Sequence, residues 1–253
     1  MKKQGRAGMV IVIILLVLIL IALVALIGFQ FTGSSIITGG FISEPGIIMS
    51  QSYELSNFNG IKLLGRGDIL LTQGQEYSVL IDANKEILDK LIVKVEDNNL
   101  IVDERGLFYL NADPIKIYVT MPEVERVLIS GSGDILGQNK ISSENLEISI
   151  SGSGDVDLNL DVEKLTTRIS GSGDVNYRGS AKEHNFYVSG SGELHSFDLE
   201  TEVSNIRVSG SGNSEVFAIE DLDVHISGSG DVFYKGDPKI SQSVSGSGNL
   251  RQE

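Results

Sequence analysis

The 253-residue sequence contains no cysteine, no tryptophan and only three histidines. Without cysteine, the chain can form no disulfide, no zinc–thiolate site and no lipid anchor on a cysteine. The histidines, His184, His195 and His225, do not stand with a serine and an acid in any pattern typical of nucleophilic catalysis. Without tryptophan there is also little material for an enclosed cleft, so we predict a non-enzymatic protein with no cofactor.

Basic residues are also scarce, with 20 against 34 acidic residues and a net charge of −14. Three of the bases, Lys2, Lys3 and Arg6, come before the first acid. The chain after residue 28 therefore has 17 bases, 34 acids and a net charge of −17. Such a surface repels phosphate groups, which excludes nucleic acid and anionic lipid headgroups as partners.

The chain has one long apolar segment, the 21 uncharged residues Met9–Phe29. A helix needs ~20 residues to cross a bilayer, and basic residues before it remain in the cytoplasm. We predict a cytoplasmic stub (1–8), a transmembrane anchor (9–29), a flexible spacer (30–46) and an extracytoplasmic domain (47–253), in a single-pass protein of the cell membrane. Two alternatives stay open: a cleaved signal peptide, and a pilin-like leader that is cut near Gly8.

The rest of the sequence is dominated by one repeated motif, Ser-Gly-Ser-Gly followed by Asp, Glu or Asn. Its copies begin 21, 19, 19, 20, 18 and 18 residues apart. A repeat this regular specifies a stacked architecture, and it does not specify a reaction. The copies are Ser130–Asp134, Ser151–Asp155, Ser170–Asp174, Ser189–Glu193, Ser209–Asn213, Ser227–Asp231 and Ser245–Asn249.

The residues that flank the motif alternate between apolar and polar, which is the pattern of a β-strand with one buried face. Aliphatic side chains stand directly before the motif, as Ile150 does, and in most copies two residues earlier and directly after it. One unit of about 20 residues cannot bury this face alone, whereas stacked units can. An antiparallel meander is the alternative, but it would not need a constant corner. We therefore predict an all-β parallel β-helix, or solenoid, with rungs of 18–21 residues.

Within the predicted domain, residues 127–253 form the regular array and residues 47–126 an irregular N-terminal part. Gly65-Arg66-Gly67-Asp68 is a weakened copy of the motif, so we place the first rung there. The last motif is followed by Leu250 and three polar residues. An uncovered strand edge invites pairing, so we expect either that preceding residues fold over the C-terminal rung or that a second copy of the chain covers it, giving a homo-oligomer.

The sequence resembles the putative auto-transporter adhesin, head GIN domain family. The likeness covers roughly Ser52 to Leu250 and rests on Phe58–Ile61, the Gly65–Ile69 segment with Gln73 and Gly74 behind it, the repeated motif, and the Tyr234–Gly248 ending. This resemblance implies a parallel β-helix exported to the cell envelope and an adhesive role. It brings no catalytic residues to carry over.

Three sets of residues are candidates for function or structure. Asp134, Asp155, Asp174 and Asp231 would form an acidic column. Because neighbouring carboxylates repel, the column would be solvated, partly protonated, hydrogen-bonded to turn amides or serines, or bridged by calcium. Arg168, Tyr187, Arg207 and His225 would line up on an outer face and could contact an anionic glycan or protein. The corner glycines would supply unusual backbone angles and let rungs approach; they are Gly131, Gly133, Gly152, Gly154, Gly171, Gly173, Gly190, Gly192, Gly210, Gly212, Gly228, Gly230, Gly246 and Gly248.

Together these observations predict a membrane-anchored β-helix that binds a surface, a glycan or an envelope protein without catalysis. A structural subunit of the envelope or of a surface filament is the second hypothesis. A carbohydrate-active enzyme is the third, because β-helices also host lyases and hydrolases, which need clustered carboxylates in a groove.

Overall fold

The computed structural model describes residues 47–104 and 114–253 of the chain. The predicted stub, anchor and spacer, residues 1–46, lie outside the described residues. In the part that is described, no helix is long and apolar enough to cross a membrane.

The described chain folds into β-strands that wind as a solenoid, as the repeat predicts. The strands are β1 (Ile48–Tyr53), β2 (Gly60–Gly65), β3 (Asp68–Gln73), β4 (Ser78–Asn84), β5 (Ile92–Glu96), β6 (Asn99–Asp103), β7 (Lys116–Met121), β8 (Arg126–Gly131), β9 (Ile135–Gly152), β10 (Val156–Gly171), β11 (Val175–Gly190), β12 (Leu194–Gly210), β13 (Ser214–Gly228), β14 (Val232–Lys235), β15 (Lys239–Gly246) and β16 (Leu250–Gln252). One short helix, α1 (Lys85–Leu88), begins after Asn84, whose side chain accepts a hydrogen bond from the Ile87 amide.

The regular rungs pair in parallel, and each apolar position of the repeat stacks on its equivalent in the next rung. Ile150 pairs with Ile169, and Ile169 with Val188. These side chains are each 2% exposed, so they share one dry column of the core. The column that follows the corner runs likewise from Val156 to Val175. The predicted parallel solenoid is therefore confirmed.

The glycine corners are held by contacts between backbones. The amide of Ser172 donates to the carbonyl of Gly152 at 2.9 Å, and the same bond recurs from rung to rung. A Cβ atom on Gly171 would lie 2.1 Å from the carbonyl oxygen of Gly152, and the φ of Gly171 is +151°. Both facts exclude a larger residue, which is why the corner sequence repeats.

The N-terminal part differs from a uniform parallel coil. The first rung is where the sequence placed it, because Gly65 pairs in parallel with Gly131. Strands β1, β4 and β5, however, join the sheet antiparallel, with β1 on β4, β4 on β7 and β5 on β6. Sharp turns allow these reversals, as at Asp97 and Asn98, which both have positive φ.

Candidate binding face

The candidate binding face is the outward surface of the strand that precedes each glycine corner. Parallel pairing places Arg168 beside Tyr187, Tyr187 beside Arg207, and Arg207 beside His225. Leu128 lies on the same line, two rungs before Arg168. These side chains point outward because their chain neighbours fill the core. The structure thus brings the four residues of the predicted stripe together on adjacent rungs.

A shallow groove of about 780 Å³ runs beside this line. It touches six adjacent strands, which is a length of roughly 24 Å at the usual spacing of ~4.8 Å. Its apolar lining includes Leu64, Leu128 and Tyr187, and its charged lining is Arg168 and Arg207. The first serine of five successive corners adds hydroxyl groups; these are Ser130, Ser151, Ser170, Ser189 and Ser209.

The positive charges of this face are paired with carboxylates. Nη1 of Arg168 lies 2.6 Å from Oε1 of Glu147, and the Arg168 guanidinium lies 5.4 Å from the centre of the Tyr187 ring. Asp223 lies 4.0 Å from Arg207 and 3.4 Å from His225. The stripe is therefore nearly neutral, rather than a simple cationic strip that would attract any polyanion.

The acidic column forms a ladder of hydrogen bonds along the corners. Oδ1 of Asp134 accepts from the amide of Asp155 at 2.9 Å, and Oδ1 of Asp155 from the amide of Asp174 at 2.8 Å. Asp231 accepts from both the amide and the side chain of Asn249, and the side-chain bond lowers its pKa. Burial raises the pKa of Asp134. The column thus has a structural role.

Metal binding at the acidic column is a separate question. Within residues 47–104 and 114–253, no three His, Cys, Asp or Glu side chains are grouped closely enough to hold a metal ion. One oxygen of Asp134 and of Asp155 already accepts a backbone amide. Calcium at Asp134, Asp155, Asp174 and Asp231 stays a prediction.

The model of the putative auto-transporter adhesin, head GIN domain family matches residues 57–238. The chain belongs to this family. No match was found among curated proteins.

Solved structures have the same fold. A putative adhesin from Bacteroides fragilis has a TM-score of 0.78 at 27% identity, covering 83% of this chain and 99% of that one. A putative lipid binding protein from Parabacteroides distasonis has a TM-score of 0.69 at 25% identity, covering 82% and 97%. A putative adhesin from the same species has a TM-score of 0.66 at 20% identity, covering 82% and 98%, and that likeness supports the fold alone.

This head GIN domain also has an aromatic patch that sequence reasoning missed, on the strands after the corners. Nζ of Lys235 lies 4.3 Å from the centre of the Phe197 ring, and the Arg251 guanidinium lies 6.0 Å from that of Phe233. The two-residue alternation after the corner places both Phe233 and Phe197 on the outer face. It does not predict the contact of Phe197 with Lys235, because the pairing of β12 with β13 shifts register after Ser196.

A second missed feature lies in the core of the head GIN domain. His184 is fully buried, and neither of its ring nitrogens has a hydrogen-bond partner. Its ring lies 6.0 Å from that of Tyr177, whose hydroxyl is 3.2 Å from the Thr167 hydroxyl. Burial lowers the pKa of His184 to about 3, so the ring is neutral at physiological pH. Alternation counted back from the corner through Val188 and Phe186 places His184 on the buried face, although histidine itself is a polar residue.

Proposed function

We propose that this head GIN domain is the extracytoplasmic part of a membrane-anchored adhesin, which binds a glycan or an envelope protein through its groove and catalyses no reaction. The observation that carries the proposal is the groove across six strands, where Arg168, Tyr187 and Arg207 stand in register beside a row of serine hydroxyls. Aromatic rings, guanidinium groups and hydroxyls at a regular spacing suit a linear, repetitive ligand.

The absence of catalysis is supported by the way the nearest carboxylates are used. Glu147 is held by Arg168, and Asp223 lies beside Arg207 and His225. A glycosidase needs two carboxyl groups free to flank one bond, with one of them protonated near neutral pH.

A glycan array tests the binding. The full chain in detergent micelles would be compared with single variants Arg168→Ala, Tyr187→Ala and Arg207→Ala. We expect one glycan class to be bound, and Tyr187→Ala to weaken binding by roughly 30-fold, as at a central contact. Arg178→Ala, an exposed arginine on the strand after the corner, is the matched control and should bind normally.

Three outcomes would contradict this proposal. Equal losses in Arg178→Ala would place the ligand elsewhere. Shortening of the bound glycan on incubation would indicate an enzyme. Binding of acyl chains but no glycan or envelope protein would favour a lipid ligand, the class named for the Parabacteroides distasonis relative.

The anchor is tested by labelling single cysteines, since the chain has none of its own. In intact cells, a membrane-impermeant maleimide should label Ser132→Cys and leave Gln4→Cys unlabelled until the cells are opened. Loss of Gln4→Cys from the mature protein would instead indicate a cleaved leader.

A structural role in the envelope is the second candidate. It is favoured by one observation, the exposed apolar side chains Ile240 and Val244 in the last rung.

A further inference from the structure

We propose that the C-terminal rung is a homodimerisation edge, at which β15 pairs antiparallel with β15 of a second copy about a two-fold axis at Gln242. This goes beyond adhesion, since neither the groove nor its ligand takes part. It narrows the general expectation of association to one strand, one orientation and one register.

The apolar side chains of the last rung belong to core columns. Ile240 pairs with Leu222, and Val244 with Ile226. Leu222 and Ile226 are 1% and 2% exposed, whereas Ile240 and Val244 are 40% and 43% exposed. Among the described residues, the same position of the repeat is thus buried where a further rung covers it and exposed in β15. A covering strand would therefore bury Ile240 and Val244 as the next rung buries Leu222 and Ile226.

The backbone of the last rung is also unpaired on one side. Among the described residues, β15 pairs only with β13, and β16 only with β14. Edge strands in soluble proteins are usually blocked by proline, bulges or charge. Strand β15 is eight residues long, without proline and without a register shift, and carries Lys239 as its one charge.

An antiparallel partner fits the strands of this solenoid. At the N-terminal end, β1 already pairs antiparallel with β4, and β5 with β6. An antiparallel pair of identical strands satisfies both edges with one two-fold axis, and the assembly then closes as a dimer.

The register follows from keeping core side chains opposite core side chains. An axis at Gln242 sets Ile240 opposite Val244 of the other copy, twice, and places the two Gln242 side chains face to face. Each amide can then donate to and accept from the other. Lys239 falls opposite Ser245, so no like charges meet across the pair.

The C-terminal rung is also the part of the surface where electrostatic repulsion between two copies is weak. After residue 28 the chain carries a net charge of −17, so most surfaces of two copies repel. From Lys239 onward the charged residues are Lys239, Arg251 and Glu253, a net charge of +1. Standard interfaces bury ~1,200 Å² or more. The proposed pair joins only two eight-residue strands, so we expect a weak, reversible dimer.

Disulfide trapping tests the register directly. In the proposed pair, position 242 faces itself at a Cα separation of about 4.5–5.5 Å, within the range that a disulfide spans. Full-chain Gln242→Cys in excess detergent should therefore oxidise to a covalent dimer. Ser243→Cys, one residue away, and Ser209→Cys, on a distant rung, should stay at least tenfold less cross-linked. Equal cross-linking of all three, or none at position 242, would overturn the proposal.

Analytical ultracentrifugation of a variant without an added cysteine is the second test of the dimer. Ile240→Lys places a charge in the pair while changing a side chain that is already exposed, so the thermal unfolding temperature should not fall. We expect the wild type to approach twice the protomer mass as concentration rises, and Ile240→Lys to remain monomeric. A wild type that stays monomeric, or one that grows past the dimer into an open series, would contradict the two-fold edge. Groove variants such as Tyr187→Ala should dimerise normally, which separates this test from that of adhesion.

Discussion

Each regular rung turns at the glycine corner and again within its long strand, at a far turn near Glu163 in β10 and Lys182 in β11, where the register is interrupted. The two turns are built on different principles. At the glycine corner the pairing continues from strand to strand without a shift, as from Gly152 to Gly171 and Gly190. Every register shift among the regular rungs lies elsewhere, in the strand after the corner or at the far turn, as between Asn176 and Arg178. Sequence is constant where backbone packs on backbone, and it varies where side chains fill the space.

The largest loss of stability should come from adding a side chain to a corner glycine. In Gly171→Ala, the new Cβ would meet the carbonyl oxygen of Gly152 at 2.1 Å in a backbone conformation that alanine rarely adopts. We expect the free energy of unfolding to fall by about 3 kcal/mol or more. Denaturant unfolding followed by circular dichroism measures this change.

Ser172→Ala is the matched control for the corner. This serine is exposed between two corner glycines, and its backbone bond to Gly152 does not need the hydroxyl. Its stability should stay within ~0.5 kcal/mol of the wild type. A corner that tolerates Gly171→Ala equally well would refute the contrast between the two turns.

The sequence predicts more of the fold than of the contacts within the binding face. The columns of Ile150, Ile169 and Val188 follow from alternation and a fixed corner, because both depend on local spacing. The antiparallel entry of β1 and β5 could not be predicted, since direction depends on turn geometry far from any repeat. The pairing of Glu147 with Arg168 was also missed, because it joins residues 21 positions apart.

An intermediate effect on stability should come from His184, which lies past the far turn. The pKa of His184 is about 3 in the folded protein and 6.5 when the side chain is exposed. Below pH 6.5 the histidine takes up a proton in the unfolded chain but stays neutral in the folded core. The stability contributed by neutral His184 is therefore fully present above pH 6.5 and decreases as the pH falls toward 3. The slope is ~1.4 kcal/mol per pH unit, or about 2 kcal/mol at pH 5.

His184→Leu should lose this part of the acid sensitivity, measured by denaturant unfolding at pH 7 and pH 5. His225→Gln, at an exposed histidine of the binding face, should keep it. If both variants lose stability on acidification as the wild type does, His184 is not neutral in the core.

The smallest loss of stability should come from substitutions in the acidic column at the corners. Asp155→Ala removes the acceptor for the Asp174 amide and should cost about 1 kcal/mol. Asp155→Asn should cost less, because Asn213 naturally accepts the Asp231 amide at 3.0 Å. Thermal unfolding with and without calcium distinguishes the roles. A wild type stabilised by calcium, with Asp155→Asn unresponsive, would favour a metal site over an amide ladder.

The central claim is that glycine corners of successive rungs lie directly on one another. Nuclear magnetic resonance can detect it as couplings through hydrogen bonds, from the Ser172 amide to the Gly152 carbonyl and from the Ser191 amide to the Gly171 carbonyl. We predict both couplings, together with slow exchange of these amides. Absent couplings and fast exchange would contradict the stacked corners, and with them the groove and the edge.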